Sequence, residues 1–480
     1  MTAIVREDLL DDRLAKLETA RAWSPRLLSR LETHIRSADD DALFRINPFT
    51  FARERSLRED EVIDLLLYAT SLGLFGMDWL LLCPKCSCVV ESLRNLEKVH
   101  SHYHCPACQV DLEASLDEQI AITFTVSPEI RAIAFHHPEQ LSAHDYCFKY
   151  GATRDGVLPD GRPFVDVKIA LTKAVSYLAL GETTRMAVEA KEGSILGVSP
   201  EGKASLLFAV EGAPSPIDQV AHVLFDKEVR EHMPGIVAPG VITFDVRNAT
   251  AERGTFWLAV LPPGTKVGQA PISFVPFLTG KRLLTTQAFR DLFRSEVIRG
   301  SEGIGVKDIT LLFTDVKGST ALYDRIGDLN AFALVQQHFE RLQDITTRFR
   351  GAIIKTIGDA VMAAFLNPAD AVAAGLAMRA DIAGFNQGQL ILKIGIHKGA
   401  AIAVTLNERL DYFGQTVNIA ARIQHLAGAD EIYVSEEAYD QSVEAVLKAF
   451  KVEAKVAKLR GVEQDQRVFC ISAPTAKVAA

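Results

Sequence analysis

The chain has 480 residues, enough apolar content for several cores and a formal charge of −9, a balance that argues against a dominant nucleic-acid-binding surface. The run Met1-Thr2-Ala3-Ile4-Val5-Arg6-Glu7-Asp8 has no signal-peptide pattern. The most apolar stretch, Val62 to Cys83, is broken by Asp64, Gly73, Gly76 and Asp78 and is too polar for a membrane span.

Residues 1–82 predict a helical, winged-helix-like module. Asn47 or Thr50 opens a short helix, Glu59 to Leu72 places Val62, Leu65, Leu66 and Ala69 on one face, and Gly73 to Leu80 reads as a turn into a strand. Such modules serve protein contacts as well as DNA contacts, and no basic recognition helix is present. Residues 83–112 follow with Cys83-Pro84-Lys85-Cys86 and Cys105-Pro106-Ala107-Cys108, about eighteen residues apart, which is a zinc-ribbon spacing. Four thiolates from two such knuckles make a closed tetrahedral site, so the reading is a structural Zn²⁺. A redox pair and a ribbon that has lost its metal are the alternatives. Cys88, His102 and His104 are nearby substitutes, while Cys147 and Cys470 read as free thiols in a reducing cytoplasm.

Residues 113–278 turn to strands. Ile242, Phe244 and Val246 alternate with Thr243, Asp245 and Arg247, and Thr255 to Val260 is expected to pair with them across the Asn248-to-Gly254 loop. Pro-Gly punctuation at Pro234, Pro239 and Pro263 suits a β-sandwich-like region. Residues 279–304 form a linker: an amphipathic helix from Thr286 to Arg299 presents Phe289, Leu292, Phe293 and Val297, and Gly300 to Gly305 reads as a flexible joint.

Residues 305–475 alternate strands with helices. Asp308 to Phe313 is a buried-strand run leading to Asp315, and a helix from Asp328 carries Phe332, Val335, Phe339, Leu342, Ile345 and Phe349. Ala352 to Ile357 and Ala360 to Phe365 are joined by a Gly358-Asp359 hairpin. A helix over Pro368 to Ile382, a strand over Leu390 to Ile396 and a helix opening near Gly414 complete the pattern, the last with Asn418 and Arg422 on one face. Asp315 and Asp359, carboxylates at strand ends beside glycine turns, suit Mg²⁺ or Mn²⁺ held against a triphosphate. Backbone N–H groups of Val316, Lys317, Gly318, Ser319 and Thr320 can cradle the phosphates.

The runs Phe313 to Thr320, Ile357 to Asp359, Leu410 to Gly414 and Val417 to Arg422 together resemble, in order and spacing, the motifs of class III nucleotide cyclases over the last third of the chain. The resemblance implies a multidomain α+β protein whose C-terminal part is a ferredoxin-like βαββαβ domain. It implies two metal ions per site on Asp315 and Asp359, adenine reading by Lys355 and Asp411, ribose positioning by Asn418 and transition-state stabilisation by Arg422. It further implies a head-to-tail homodimer with two composite sites. Ser319 departs from the Phe of many relatives. A Lys donor beside an Asp acceptor complements adenine, and guanine reverses that edge. The expectation is a cytoplasmic adenylate cyclase that makes 3′,5′-cyclic AMP from ATP in intracellular signalling. The N-terminal part, which resembles an uncharacterised region fused to such cyclases, would regulate it through an unknown ligand or protein. A catalytically silent ATP-binding sensor and a transcription-associated adaptor are the alternatives.

Overall fold

The structure, a computed structural model, describes residues 5–225, 233–299, 303–318, 324–385 and 390–474. Two compact units form. One holds the chain up to Arg94 with His100–Ala114 and Glu118–Thr279; the other holds Asn95–Val99, Ser115–Asp117 and the chain from Gly280. Among the described residues no helix is long and apolar enough to cross a membrane.

In the first unit the helices Glu7–Ala20, Pro25–Ser37, Pro48–Glu54 and Glu59–Ser71 precede the strand Phe75–Leu82. Asn47 starts the third by accepting the Phe49 N–H, with Pro48 pre-set for the first turn. The boundaries expected at 82 and 113 are overturned, because one sheet crosses both. Phe75–Leu82 pairs antiparallel with Ile120–Val126 and with Val89–Leu93, and Leu278–Thr279 adds the fourth strand. Trp79, Leu80, Ile122 and Phe124 are buried. Strands this apolar on both faces need partners at their edges, which a local wing cannot supply.

A five-stranded and a three-stranded sheet share the next core, with Val188, Ile195, Leu206, Phe244 and Phe256 among its members. The expected hairpin between Ile242–Val246 and Thr255–Val260 does not form. Gly240–Asn248 pairs with Thr183–Ala190 and Gln219–Phe225, whereas Gly254–Leu261 pairs with Thr172–Leu178 and Ser194–Ser199. Asn248 is the reason: fully buried, its Nδ2 donates to the Leu178 and Glu252 carbonyls at 3.1 and 2.8 Å and its Oδ1 accepts the Thr250 N–H. The chain therefore changes sheet at this residue, and the two inward faces meet across the core instead of side by side.

In the second unit the strands Ala352–Ile357, Ala360–Phe365, Ile304–Val316 and Leu392–Leu406 lie in that order, antiparallel throughout. With the helices Asp328–Arg348 and Pro368–Gly384 this is the βαββαβ arrangement. The sheet continues through Ile432–Ser435, Gln466–Pro474 and Phe450–Ala457, and Arg409–Phe413 pairs with Leu392–Leu406. The helices cover Leu312, Val361, Phe365, Ile394 and Ile396.

Two expectations change here. Phe332 is exposed, since the buried stripe of its helix is Ala331, Val335, His338, Leu342 and Ile345, one position round from the pattern that begins at Phe332. The linker is two short helices, Gly280–Leu284 and Gln287–Leu292, separated where Thr285 and Thr286 turn their hydroxyls back onto the Lys281 and Arg282 carbonyls. Gly300 to Glu302 lie outside the described residues, and Ile304 already belongs to a strand.

His338 sits fully buried in that stripe with neither ring nitrogen hydrogen-bonded, and burial draws its pKa from 6.5 down to about 4, against the opposing pull of Asp359. The unfolded chain takes up this proton near pH 6.5 and the folded one only near pH 4. Stability is therefore intact above pH 6.5 and falls between those values, by about 3 kcal/mol at most. Denaturant midpoints at pH 7 and pH 5 should differ less for His338→Leu than for the wild type; equal pH slopes would contradict the assignment.

Candidate active site

The strand Ile304–Val316 carries Asp315 to the edge of the core. Thr314 faces Val361 in the ladder and its Oγ1 accepts the Val361 N–H at 3.1 Å, so the register brings the Gly358-Asp359 turn alongside Asp315. Both turns need a left-handed residue, supplied by Gly318 at φ +75° and Gly358 at φ +64°. Asp315 is half-buried with Lys393 Nζ 3.9 Å from its Oδ2. Asp359 Oδ2 is buried and accepts no hydrogen bond. An orphaned carboxylate oxygen is costly in a protein interior, and hard oxygen donors suit Mg²⁺ or Mn²⁺, so these residues fit a divalent cation.

The phosphate cradle is narrower than the sequence suggests. The Lys317 N–H donates to the Ile391 carbonyl at 2.8 Å and Val316 lies in the ladder opposite Leu392, so the Lys317 amide is already engaged. Ser319 and Thr320 lie outside the described residues.

Lys355 and Asp411 meet. Lys355 Nζ donates to Asp411 Oδ2 at 2.5 Å, and Asp411 Oδ1 accepts the Tyr412 N–H at 2.7 Å. The Asp411 side chain is 8 % exposed and that of Lys355 34 %, so the pair is accessible from the lysine side. The two residues come from the strands Ala352–Ile357 and Arg409–Phe413, which lie far apart in sheet order.

Asn418 and Arg422 lie on the helix Gln415–Leu426, which starts after Gly414 at φ +135°. Ile419 and Ile423 fix its buried face, leaving Asn418 exposed and Arg422 half-buried one turn later. A Cβ on Gly461 would come within 3.4 Å of the Arg422 guanidinium. Gly461 and Lys393 escaped the sequence reading; a glycine after Leu459-Arg460 was the available signal for the first.

In the first unit the Sγ atoms of Cys83, Cys86, Cys105 and Cys108 lie within 4.8 Å of one another, all four residues buried, with Cys86 and Cys105 Sγ 3.6 Å apart. Tetrahedral zinc with thiolates at about 2.3 Å places sulfurs about 3.8 Å apart, so the cluster fits that ion. The two knuckles repeat each other. Ser87 at φ +53° donates its N–H to the Cys83 carbonyl at 2.9 Å, and Gln109 at φ +52° donates its own to the Cys105 carbonyl at 2.8 Å. Of the suggested substitutes, Cys88 lies beside Cys86 and Cys105 while its Sγ accepts from Lys168 Nζ, and His104 is bonded to Asp111 and Gln109.

Comparison with known proteins adds the following. Residues 11–291 match a family of unknown function, DUF5939, and residues 304–472 match the adenylate and guanylate cyclase catalytic domain. The chain is 26 % identical over 238 residues to a pH-sensitive adenylate cyclase of Mycobacterium tuberculosis, covering 46 % of this chain and 58 % of that protein. It is 28 % identical over 173 residues to adenylate cyclase 2 of Rhizobium meliloti, covering 32 % and 46 % respectively. The chain thus spans less than two thirds of the length of these curated relatives. The crystal structure of the adenylyl cyclase CyaB from P. aeruginosa is similar with a TM-score of 0.32 at 23 % identity, covering 36 % of this chain and 98 % of that one. The chain belongs to the DUF5939 family and carries at its C-terminal side a class III nucleotide cyclase domain, residues 304–472.

Proposed function

We propose that this protein is an adenylate cyclase, converting ATP to 3′,5′-cyclic AMP and pyrophosphate at composite sites of a homodimer. The observation that carries the choice of ATP is the Lys355–Asp411 pair at 2.5 Å. An ammonium donor held beside a carboxylate acceptor matches the ring-nitrogen acceptor and 6-amino donor of adenine, and the guanine edge would leave both unpaired.

Asp315 and Asp359 are the residues that would hold two Mg²⁺ or Mn²⁺ ions, which when bound supply Lewis-acid stabilisation of the triphosphate charge. Lys355 and Asp411 orient the base and Asn418 the ribose. Arg422, permanently charged and fork-shaped, meets the charge on the α-phosphoryl oxygens as the O3′–P bond forms, the bond to pyrophosphate breaks and the hydroxyl proton is lost. A second copy of the chain is favoured by the apolar surface beside these groups. Ile357 stands two residues from Lys355 and Phe413 two from Asp411, and they are 52 % and 62 % exposed, as Phe332 is at 60 %.

For the DUF5939 region the reading is regulation of the cyclase. It is supported by a cavity of about 1080 Å³ within the first unit, lined by Phe44, Arg45, Asp78, Phe135, Tyr146 and Tyr150 among others, a size and composition suited to a small ligand. Zn²⁺ on the four cysteines would be structural, and the cysteines of the chain are free thiols, which suits a cytoplasmic protein. A chain cut near Ser301 would lose Asn95–Val99, Ser115–Asp117 and Gly280–Arg299, all part of the second unit, so regulation is best tested in the full chain.

Purified full-length protein given ATP with Mg²⁺ or Mn²⁺ should release cyclic AMP and pyrophosphate, and Asp315→Ala should abolish both. A folded, dimeric wild type that binds ATP and releases neither would instead support the silent sensor. Lys355→Ala should lower kcat/KM for ATP by about tenfold or more, with a smaller loss for GTP. Equal losses for the two nucleotides would contradict the adenine assignment. Elemental analysis should find one zinc per chain, absent from Cys83→Ser together with a lower Tm; a zinc-free wild type with unchanged Tm in chelator would exclude a structural zinc.

A further inference from the structure

The strands that carry Lys355 and Asp411 are both edges. Among the described residues Ala352–Ile357 is the terminal strand of its sheet, and Arg409–Phe413 is a side branch bonded only to Leu392–Leu406. An edge strand has a row of backbone groups without ladder partners and is correspondingly free to shift. The short helix Gln287–Leu292 takes up one such group on each strand. Gln287 Oε1 accepts the Ile353 N–H at 2.8 Å, two residues before Lys355. Arg290, one helical turn later, donates from a terminal guanidinium nitrogen to the Leu410 carbonyl at 3.0 Å, one residue before Asp411.

The helix is itself fixed. Phe289 is fully buried, Gln287 is 8 % exposed, and Gln287 Nε2 donates at 3.0 Å to Asp291, which also receives Gln343 from the helix Asp328–Arg348. Arg290 is held a second time by the Leu284 carbonyl through its Nε at 2.9 Å. One turn of helix thus grips two strands that the sheet leaves apart.

We propose that Gln287 and Arg290 are positioning residues for base selection: by fastening both edge strands to one turn of helix they set the separation of Lys355 and Asp411. This rests on the reading of that pair as the base-recognising couple. Neither residue belongs to the cyclase match, which starts at residue 304, whereas the DUF5939 match runs to residue 291. The family of unknown function therefore includes the turn that holds the base-reading strands. A displacement of this helix changes which base is accepted, while Asp315, on the strand Ile304–Val316 paired along both edges, keeps its place.

The test uses full-length protein and two independent readouts. Gln287→Met keeps the volume and removes the acceptor; Arg290→Lys keeps the charge and loses the reach to Leu410; Glu444→Ala, an exposed residue of the helix Gln441–Val446, is the control. The first readout is the ratio of kcat/KM for ATP to that for GTP, expected to fall about three- to tenfold in the first two variants and to hold in the control. The second is the rate at which the Lys355 amine is reductively methylated, read by mass spectrometry without nucleotide, expected to rise in the same two variants as the salt bridge loosens. A lower Tm with both readouts unchanged would overturn the proposal and leave the helix as packing. Should Arg290→Lys fail to fold, Gln287→Met alone decides. Should the wild type cyclise neither nucleotide, the function reading fails, and the amine reactivity still reports whether the helix positions the pair.

Discussion

The catalytic unit is organised by one strand, Ile304–Val316, held on both sides by antiparallel ladders to Ala360–Phe365 and Leu392–Leu406. Leu311, Leu312 and Phe313 are buried beneath the helices and Thr310 and Thr314 are buried with them. A strand packed on both faces and paired on both edges has one allowed register, since a slip of one residue would exchange its two faces. That register places Asp315 at the end of the ladder and aligns the Gly358-Asp359 turn beside it. Asp315 is therefore mounted on the doubly paired strand itself, and Asp359 on the turn that this register aligns with it.

The Lys355–Asp411 pair is mounted differently. Lys355 and Asp411 stand on edge strands, and each is held by its partner's charge and by the backbone bonds that Gln287 and Arg290 make close by. The ion pair is buried mainly on the Asp411 side, where losing Lys355 would strand a carboxylate in the interior. Asp315 thus stands on a strand paired along both edges, while Lys355 and Asp411 stand on strands fastened by a helix outside the cyclase match.

In the first unit the same economy of backbone groups explains the cysteine cluster. Each CxxC stands at the tip of a hairpin, and each knuckle closes with a left-handed residue four positions after its first cysteine, Ser87 and Gln109. The N–H groups folded inward at such tips and the four convergent sulfurs provide a small, self-contained nucleus in a region otherwise made of long-range strand pairs. Asn248 plays a comparable part in the sandwich, where one buried amide substitutes for the hydrogen bonds the chain gives up in passing from one sheet to the other.

Local chemistry made much of this legible beforehand. Helices such as Glu59–Ser71 and Pro368–Gly384 are written in apolar spacing, the metal-type carboxylates in the glycines beside them, and the knuckles in two CxxC repeats. What resisted was pairing between distant segments. The alternation of Ile242–Val246 and Thr255–Val260 declared two strands and their inward faces, yet alternation is the same for a hairpin and for strands facing each other across a core. The exposed Phe332 fits an apolar pattern as well as Val335 does, because burial depends on what arrives from elsewhere in the chain. Sequence by itself determined which residues could bind cations, thiophilic metal or a base, since those properties belong to side-chain atoms. Only the tertiary structure decided that Lys355 meets Asp411, that Gln287 and Arg290 hold their strands, and that the sheet of Phe75–Leu82 spans the ribbon, because each depends on long-range closure that no local pattern encodes.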